Sequence, residues 1–161
     1  MIFDRLDTTR LPEITASPVR APIILNMRDD GIGAEKVSSQ GDVVLIVEDD
    51  FLIAMDLEAA LTDAGYKVAA VAVTADEAIA LAAAHAPAVV LMDIRLLGDR
   101  DGIDAALEIY RLYGVRSVFT SAHSDEESRR RAEPAMPYGW IEKPYAVGTI
   151  VSFLQRLKDT T

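Results

Sequence analysis

Short apolar runs alternate with longer amphipathic stretches between residues 41 and 161. Five runs rich in aliphatic and β-branched residues predict strands at 43–47, 67–73, 88–92, 115–120 and 138–141. The intervening and final stretches predict helices at 51–64, 75–85, 102–113, 124–133 and 146–158. Strands that alternate with helices in this way predict an α/β fold, a doubly wound parallel sheet of five strands with helices on both faces.

Helix-end residues support several of these boundaries. Thr74 is placed to cap the second helix, with Glu77 at capping-box spacing, and Asp50 is placed to cap the first. Gly114 is expected to close the third helix and Pro134 to stop the fourth. In the first helix, the apolar spacing predicts four residues near one face: Leu52, Met55, Ala59 and Leu61.

The first 40 residues have a different texture. They contain three prolines and a DDGIG cluster, and they keep no sustained period of 2 or 3.6 residues. We therefore predict an N-terminal extension over 1–40, an arm or partly disordered segment, followed by a folded domain over 41–161.

The charge balance excludes some classes of partner. Acidic residues outnumber basic ones by 26 to 16, which gives a formal net charge of −10, and such a surface disfavours non-specific binding to nucleic acid. Three consecutive arginines at 129–131 are surrounded by acids. We interpret them as part of a solvated helix with i,i+4 ion pairs between Glu126 and Arg130 and between Glu127 and Arg131.

Composition also bears on compartment. The chain has no cysteine, which rules out a disulfide framework and a thiolate metal site. No apolar run approaches the roughly 20 residues that span a bilayer, and the N-terminus lacks the apolar core of a secretory signal. A cytoplasmic protein with neither nucleic acid nor membrane as a partner is the expectation.

Reactive side chains follow four of the five predicted strands. Glu48 and Asp49 come after the first strand, Asp93 after the third, Ser121 after the fourth and Lys143 after the fifth. Because ligands of open parallel sheets bind at the carboxyl ends of the strands, we expect these residues to converge at one edge.

The residue types at this edge indicate phosphoryl chemistry. Three carboxylates in one crevice repel one another unless they protonate, separate or bind a cation. Oxygen ligands without histidine or cysteine select a hard cation, and Mg²⁺ is the best match. Asp93 is then a candidate nucleophile for a phosphoryl group, with Lys143 and Ser121 supplying a positive charge and a hydroxyl.

These segments resemble the receiver domains of response regulators, the CheY-like modules of two-component signalling. The similar segments are VLIVEDD, MDIRL, SAH and EKPY, and together they extend the resemblance over about 42–158. The spacings agree as well, with 44 residues from Asp49 to Asp93, 28 from Asp93 to Ser121 and 22 from Ser121 to Lys143. The resemblance implies a flavodoxin-like or CheY-like topology with strand order 2-1-3-4-5.

The resemblance also implies a metal site and a phosphoacceptor. Asp93 corresponds to the phosphoacceptor, and Asp49 and Asp93 to direct Mg²⁺ ligands. Glu48 would complete the acidic pocket through a water molecule, and the backbone carbonyl of Arg95 would also bind the metal.

Further roles follow from the same resemblance. Ser121 corresponds to the switch hydroxyl, chosen over the neighbouring Thr120, which we expect to face the core. Lys143 corresponds to the phosphate-sensing lysine, and the Lys143–Pro144 bond is cis in the family. Trp140 stands where the family usually has tyrosine or phenylalanine, so it is either a second switch residue or a core or interface aromatic.

The resemblance implies a signalling partner rather than a metabolic substrate. The phosphodonor would be a histidine kinase or a phosphotransfer protein. Because the last predicted helix ends near Thr161, we expect a stand-alone receiver that acts through protein contact. The contact surface would be the face at about 122–158, used by an effector or by a second copy in a homodimer.

Three other functions are compatible with an α/β fold of this kind. A flavodoxin-like flavin carrier needs a loop rich in hydroxyls and glycine after the first strand, but this chain has three acids there, which repel phosphate unless a metal intervenes. A phosphohydrolase with an aspartyl nucleophile commonly has a second aspartate two residues later, where this chain has Arg95. We therefore expect no enzyme beyond the protein's own phosphorylation and dephosphorylation, and the alternative is a pseudo-receiver that binds partners without turning over phosphate.

Overall fold

Five parallel strands and five helices alternate along the residues that the computed structural model describes, 43–122 and 125–160. The strands are β1 (Val43–Val47), β2 (Lys67–Ala72), β3 (Val89–Asp93), β4 (Arg116–Ser121) and β5 (Gly139–Glu142). Their order in the sheet is β2-β1-β3-β4-β5, and every neighbouring pair is parallel. The predicted fold class and strand order are confirmed.

The helices cover both faces of this sheet. They are α1 (Phe51–Asp63), α2 (Ala75–His85), α3 (Gly102–Tyr113), α4 (Glu126–Ala132) and α5 (Val147–Asp159), with a 3-10 turn at Glu133–Ala135. None of the helices in the described ranges is both long and apolar enough to span a membrane. The predicted N-terminal arm over 1–40 lies outside the described residues.

Two hydrophobic layers lie on the two faces of the sheet. Within β1, Leu45 and Val47 belong to the layer under α2 and α3, while Val44 and Ile46 belong to the layer under α1 and α5. Alternate residues of a strand point to opposite faces, so a strand covered on both faces is apolar at every position. This is why β1, and β3 as far as Met92, are continuous apolar runs.

The buried face of α1 differs from the prediction. Leu61 is buried as expected, but Leu52 is 65 % and Met55 48 % exposed, and Ala59 is exposed too. The buried stripe consists of Ala54, Leu57 and Leu61. The predicted stripe, with Leu52 and Met55, and the observed stripe, with Leu57, both have helical spacing but lie on opposite sides of the helix. Because α1 has apolar residues on both sides, the sequence pattern did not show which side is buried.

Capping contacts confirm several helix starts. The Asp50 side chain accepts hydrogen bonds from the backbone nitrogens of Leu52 and Ile53, at 2.9 and 3.2 Å. The Thr74 hydroxyl accepts from the Glu77 backbone nitrogen at 3.2 Å, while the Glu77 carboxylate accepts from Val73 rather than from Thr74.

The region after β4 was predicted less accurately. β4 and β5 each begin and end one residue later than predicted, so Ser121 is the last residue of β4. Pro134 lies inside the 3-10 turn that follows α4. The predicted pair between Glu127 and Arg131 is wrong, because the Arg131 guanidinium binds carboxylates at the start of α3.

Candidate functional site

Three carboxylates meet where β1 and β3 end. One carboxylate oxygen each from Glu48, Asp49 and Asp93 lie within 4.8 Å of one another. The Glu48 backbone nitrogen donates to the Ala72 carbonyl at 2.9 Å, which continues the β1–β2 pairing and keeps Glu48 buried. Asp49 is exposed, and the next residue already caps α1. The predicted convergence of the acids is therefore observed.

Lys143 places its ammonium group between two of these carboxylates. Its Nζ lies 2.8 Å from Glu48 Oε2 and 2.8 Å from Asp93 Oδ2. The Lys143 backbone nitrogen donates to the Ser121 carbonyl at 2.8 Å, which holds the residue beside the end of β4. The Lys143–Pro144 peptide bond is cis, as the resemblance implied.

Burial sets the electrostatics of this cluster. Burial raises the pKa of Glu48, and the negative charge of Asp93 raises it further, against the opposing effect of Lys143. Burial alone would lower the pKa of Lys143, but its hydrogen bonds to Asp93 and Glu48 outweigh this and raise it. The lysine therefore stays charged at neutral pH, and the pocket holds more potential negative charge than this one ammonium group can balance.

The main chain around Asp93 is tightly packed. Asp93 Oδ1 accepts a hydrogen bond from the Arg95 backbone nitrogen at 3.3 Å, and the Gly102 backbone nitrogen donates to the Ile94 carbonyl at 2.8 Å. A Cβ atom on Gly102 would lie 1.9 Å from the Asp93 carbonyl oxygen. Only glycine fits there, and no sequence signal distinguished this glycine from an ordinary helix start.

The two hydroxyl residues at the end of β4 are both buried. Phe119 belongs to the layer under α2 and α3, whereas Val118 belongs to the layer under α1 and α5. Strand alternation therefore places Ser121 on the side of Phe119 and Thr120 on the opposite side. Thr120 is core-facing, as predicted.

Trp140 lies outside the carboxylate cluster. Its ring stacks on Phe119 with centroids 4.6 Å apart and an angle of 24° between the planes. The Arg129 guanidinium of α4 lies 5.2 Å from the centroid of the indole ring. In this arrangement Trp140 is a half-buried aromatic between the sheet and α4.

Tyr145 is a neighbour of the site that the sequence reasoning missed. With Lys143 and Pro144 it lines a cavity of about 390 Å³ beside α1. Burial raises the pKa of its hydroxyl, while the positive charge of Lys143 and the Thr120 hydroxyl lower it. The only signal in the sequence was its position directly after the Lys-Pro pair.

This chain is similar to known signalling proteins. The family model of the response regulator receiver domain matches residues 44–155. The transcriptional regulatory protein PdtaR of Mycobacterium tuberculosis is 36 % identical over 112 residues, which cover 70 % of this chain and 54 % of that protein. The phyllosphere-induced regulator PhyR of Methylorubrum extorquens is 33 % identical over 152 residues, covering 93 % and 55 % respectively.

A solved structure agrees with the sequence relatives. The signal receiver domain of a modulated diguanylate cyclase from Desulfovibrio desulfuricans is 31 % identical, with a TM-score of 0.67 and coverage of 73 % of this chain and 94 % of that one. The chain spans about half the length of the curated relatives PdtaR and PhyR.

Proposed function

The chain belongs to the response regulator receiver domain family, and we propose that it accepts a phosphoryl group on Asp93 in a Mg²⁺-dependent reaction. The donor is a histidine kinase or a phosphotransfer protein, and the output is a change in protein contacts in the cytoplasm. The observation that carries this proposal is the buried Asp93 carboxylate, bound by Lys143 and surrounded by two further carboxylates.

The donor set fits a magnesium ion. The three acids offer only oxygen ligands, which Mg²⁺ prefers, and their charge exceeds that of Lys143. Asp49 and Asp93 would bind the ion directly, with Glu48 through a water molecule and the Arg95 backbone carbonyl as a further ligand. When bound, the ion neutralises charge on the phosphoryl oxygens during transfer.

The side chains of this pocket have distinct tasks in the transfer. A carboxylate oxygen of Asp93 attacks phosphorus, so a P–O bond forms while the P–N bond to the donor imidazole breaks and its electron pair returns to nitrogen. Lys143 keeps its charge because its pKa is raised, and its ammonium group can move from Glu48 to a phosphoryl oxygen. Ser121 is the last residue of β4, and its hydroxyl would donate to the same group after transfer.

The surface beside the pocket suits a protein donor. Phe51, Leu52 and Met55, at the start of α1, are 75 %, 65 % and 48 % exposed. Large apolar side chains grouped at the rim of an acidic pocket are typical of a protein contact. A donor protein that covers them would bring its phosphohistidine to Asp93.

The output surface lies on the opposite side of the site. Ser121, Phe119 and Trp140 share the side of the sheet that faces α4, and Met136 and Tyr138 are exposed nearby. We propose that phosphorylation repositions Ser121 and Trp140. This movement would change the surface formed by residues 122 and 125–158, which an effector or a second copy would bind.

Labelling with acetyl phosphate tests the chemistry. The wild type should gain the mass of one phosphoryl group with Mg²⁺ and lose that gain with a chelator, whereas Asp93→Asn should gain nothing. Asp50→Asn is the matched control, because it removes an acid beside the pocket but keeps a helix-capping side chain. A wild type that gains no mass and binds no beryllofluoride would favour the pseudo-receiver.

A further inference from the structure

α4 is a short helix whose residues are mostly exposed. It has seven residues, of which Ala132 is buried, and it packs on α3 and on the 3-10 turn that follows it. A short helix with so little buried surface depends on individual side-chain contacts for its position. The contacts that α4 makes with α3 are therefore among those that hold it in position.

Arg131 of α4 forms ion pairs with two carboxylates at the start of α3. Its guanidinium lies 2.8 Å from Asp101 Oδ2 and 3.2 Å from Asp104 Oδ1. These two acids form the capping box of α3, in which each side chain accepts from the other's backbone nitrogen, at 2.9 and 3.3 Å. Arg131 therefore joins α4 to the first turn of α3.

That first turn rests on the phosphoacceptor residue itself. Gly102, the residue after Asp101, is so close to the Asp93 carbonyl that no side chain fits between them. Packed protein segments transmit displacement because they have little free volume. Arg131, the capping box, Gly102 and the Asp93 main chain form one continuous series of contacts.

From this series we propose that Arg131 is a positioning residue that holds α4 against the start of α3 while Asp93 is unphosphorylated. The inference rests on the proposed function, because it assigns α4 a movement that phosphorylation drives. A contact made in one state and weakened in the other opposes the transition by its own free energy. Removing the Arg131 contact should therefore ease the response to a phosphoryl group.

The neighbouring Arg130 provides a matched control. Arg130→Gln and Arg131→Gln make the same change of charge at consecutive exposed positions of α4, and none of the described ion pairs joins Arg130 to α3. Arg131→Lys keeps the charge but cannot bind two carboxylates with a planar fork, so it should restore the wild-type behaviour in part.

Trp140 makes the response visible. It is the chain's only tryptophan, and because the Arg129 side chain of α4 lies over its ring, its emission should change when α4 moves. The titration is carried out on the full chain with Mg²⁺ and beryllofluoride, a mimic of the phosphoryl group. Hydrogen exchange of the α4 amides is measured in parallel, without either ligand.

We expect Arg131→Gln to lower the half-saturating beryllofluoride concentration about two- to fivefold, the range of an exposed ion pair. The same variant should exchange its α4 amides faster, and Arg130→Gln should do neither. In an Asp104→Asn background, Arg131→Gln should have a smaller effect than in the wild type.

Equal shifts in the two arginine variants, or unchanged exchange in α4, would overturn the inference. A wild type that binds no beryllofluoride would instead overturn the proposed function and the coupling together, while the exchange result would still show whether Arg131 holds α4.

Discussion

Replacing Gly102 by alanine would press a methyl group against the main chain of Asp93. The added Cβ would lie 1.9 Å from the Asp93 carbonyl oxygen, 2.9 Å from its carbonyl carbon and 3.0 Å from Met92 Cγ. Two of these atoms belong to the backbone of a central strand and cannot rotate away. The start of α3 or the end of β3 must shift by more than 1 Å, roughly the difference from an ordinary van der Waals contact.

Such a shift has a cost in stability and in chemistry. Overpacking of a well-filled site destabilises by about 1–3 kcal/mol and occasionally more, and a clash with backbone belongs at the upper end. We expect Gly102→Ala to lower the free energy of unfolding by about 3 kcal/mol. Displacement of Asp93 from Lys143 should also slow phosphoryl uptake by at least about tenfold, since misplacement by 1 Å is severe at a reacting group.

The stability is measured by urea denaturation monitored by circular dichroism, and alanine variants of two other glycines serve as references. A Cβ on Gly148, in the first turn of α5, would meet nothing within 4 Å, so alanine there should be neutral or stabilise by up to about 1 kcal/mol. A Cβ on Gly139 would lie 2.6 Å from the end of the Phe153 side chain, which can adjust, so an intermediate loss is expected. If Gly102→Ala were as stable as Gly148→Ala, the close approach at Asp93 would be refuted.

Three further predictions separate neighbouring residues with different tasks. Asp50→Ala should destabilise the fold by about 1 kcal/mol through loss of the α1 cap, while its Mg²⁺ affinity, measured by calorimetry, should stay within twofold of the wild-type value. Asp49→Ala should leave the stability nearly unchanged and lower the Mg²⁺ affinity. Equal Mg²⁺ affinities of the two variants would contradict the assignment. Leu57→Ala should cost about 2–4 kcal/mol because Leu57 is buried, and Leu52→Ala less than about 0.5 kcal/mol; equal shifts in the urea midpoint would contradict the observed face of α1. Lys143→Met should abolish most phosphoryl uptake from acetyl phosphate. It should also increase the stabilisation of the fold by Mg²⁺, because two buried carboxylates lose their shared cation. An unchanged rate of uptake would argue against a role of Lys143 in the transfer.

Much of the fold was predictable because strands that are buried on both faces of a sheet appear in the sequence as continuous apolar runs. β1 is apolar at every position and β3 at every position before Asp93, so their limits could be placed to within a residue. The site was predictable for a related reason, since parallel strands bring their carboxyl ends to one edge and the residues there are few. Glu48, Asp93 and Lys143 meet as the strand positions required.

The errors arose where three-dimensional packing decides between equal patterns. Two apolar stripes of α1 have the same spacing, and only the position of the sheet selects the one with Leu57. Arg131 had an acid at i−4 as a local partner, but the capping box of α3, distant in sequence, offers two. The need for glycine at position 102 depends on the path of the chain after Asp93, which no local pattern encodes.

Reductive trapping of the acyl phosphate would test the central claim most directly. Borohydride reduces an aspartyl phosphate to homoserine, so peptide mapping after labelling identifies the residue that carried the phosphoryl group. The account predicts Mg²⁺-dependent homoserine at position 93, with Asp49 and Asp50 unchanged. Homoserine at another aspartate, or at none while beryllofluoride still binds, would contradict the assignment of Asp93 as the phosphoacceptor.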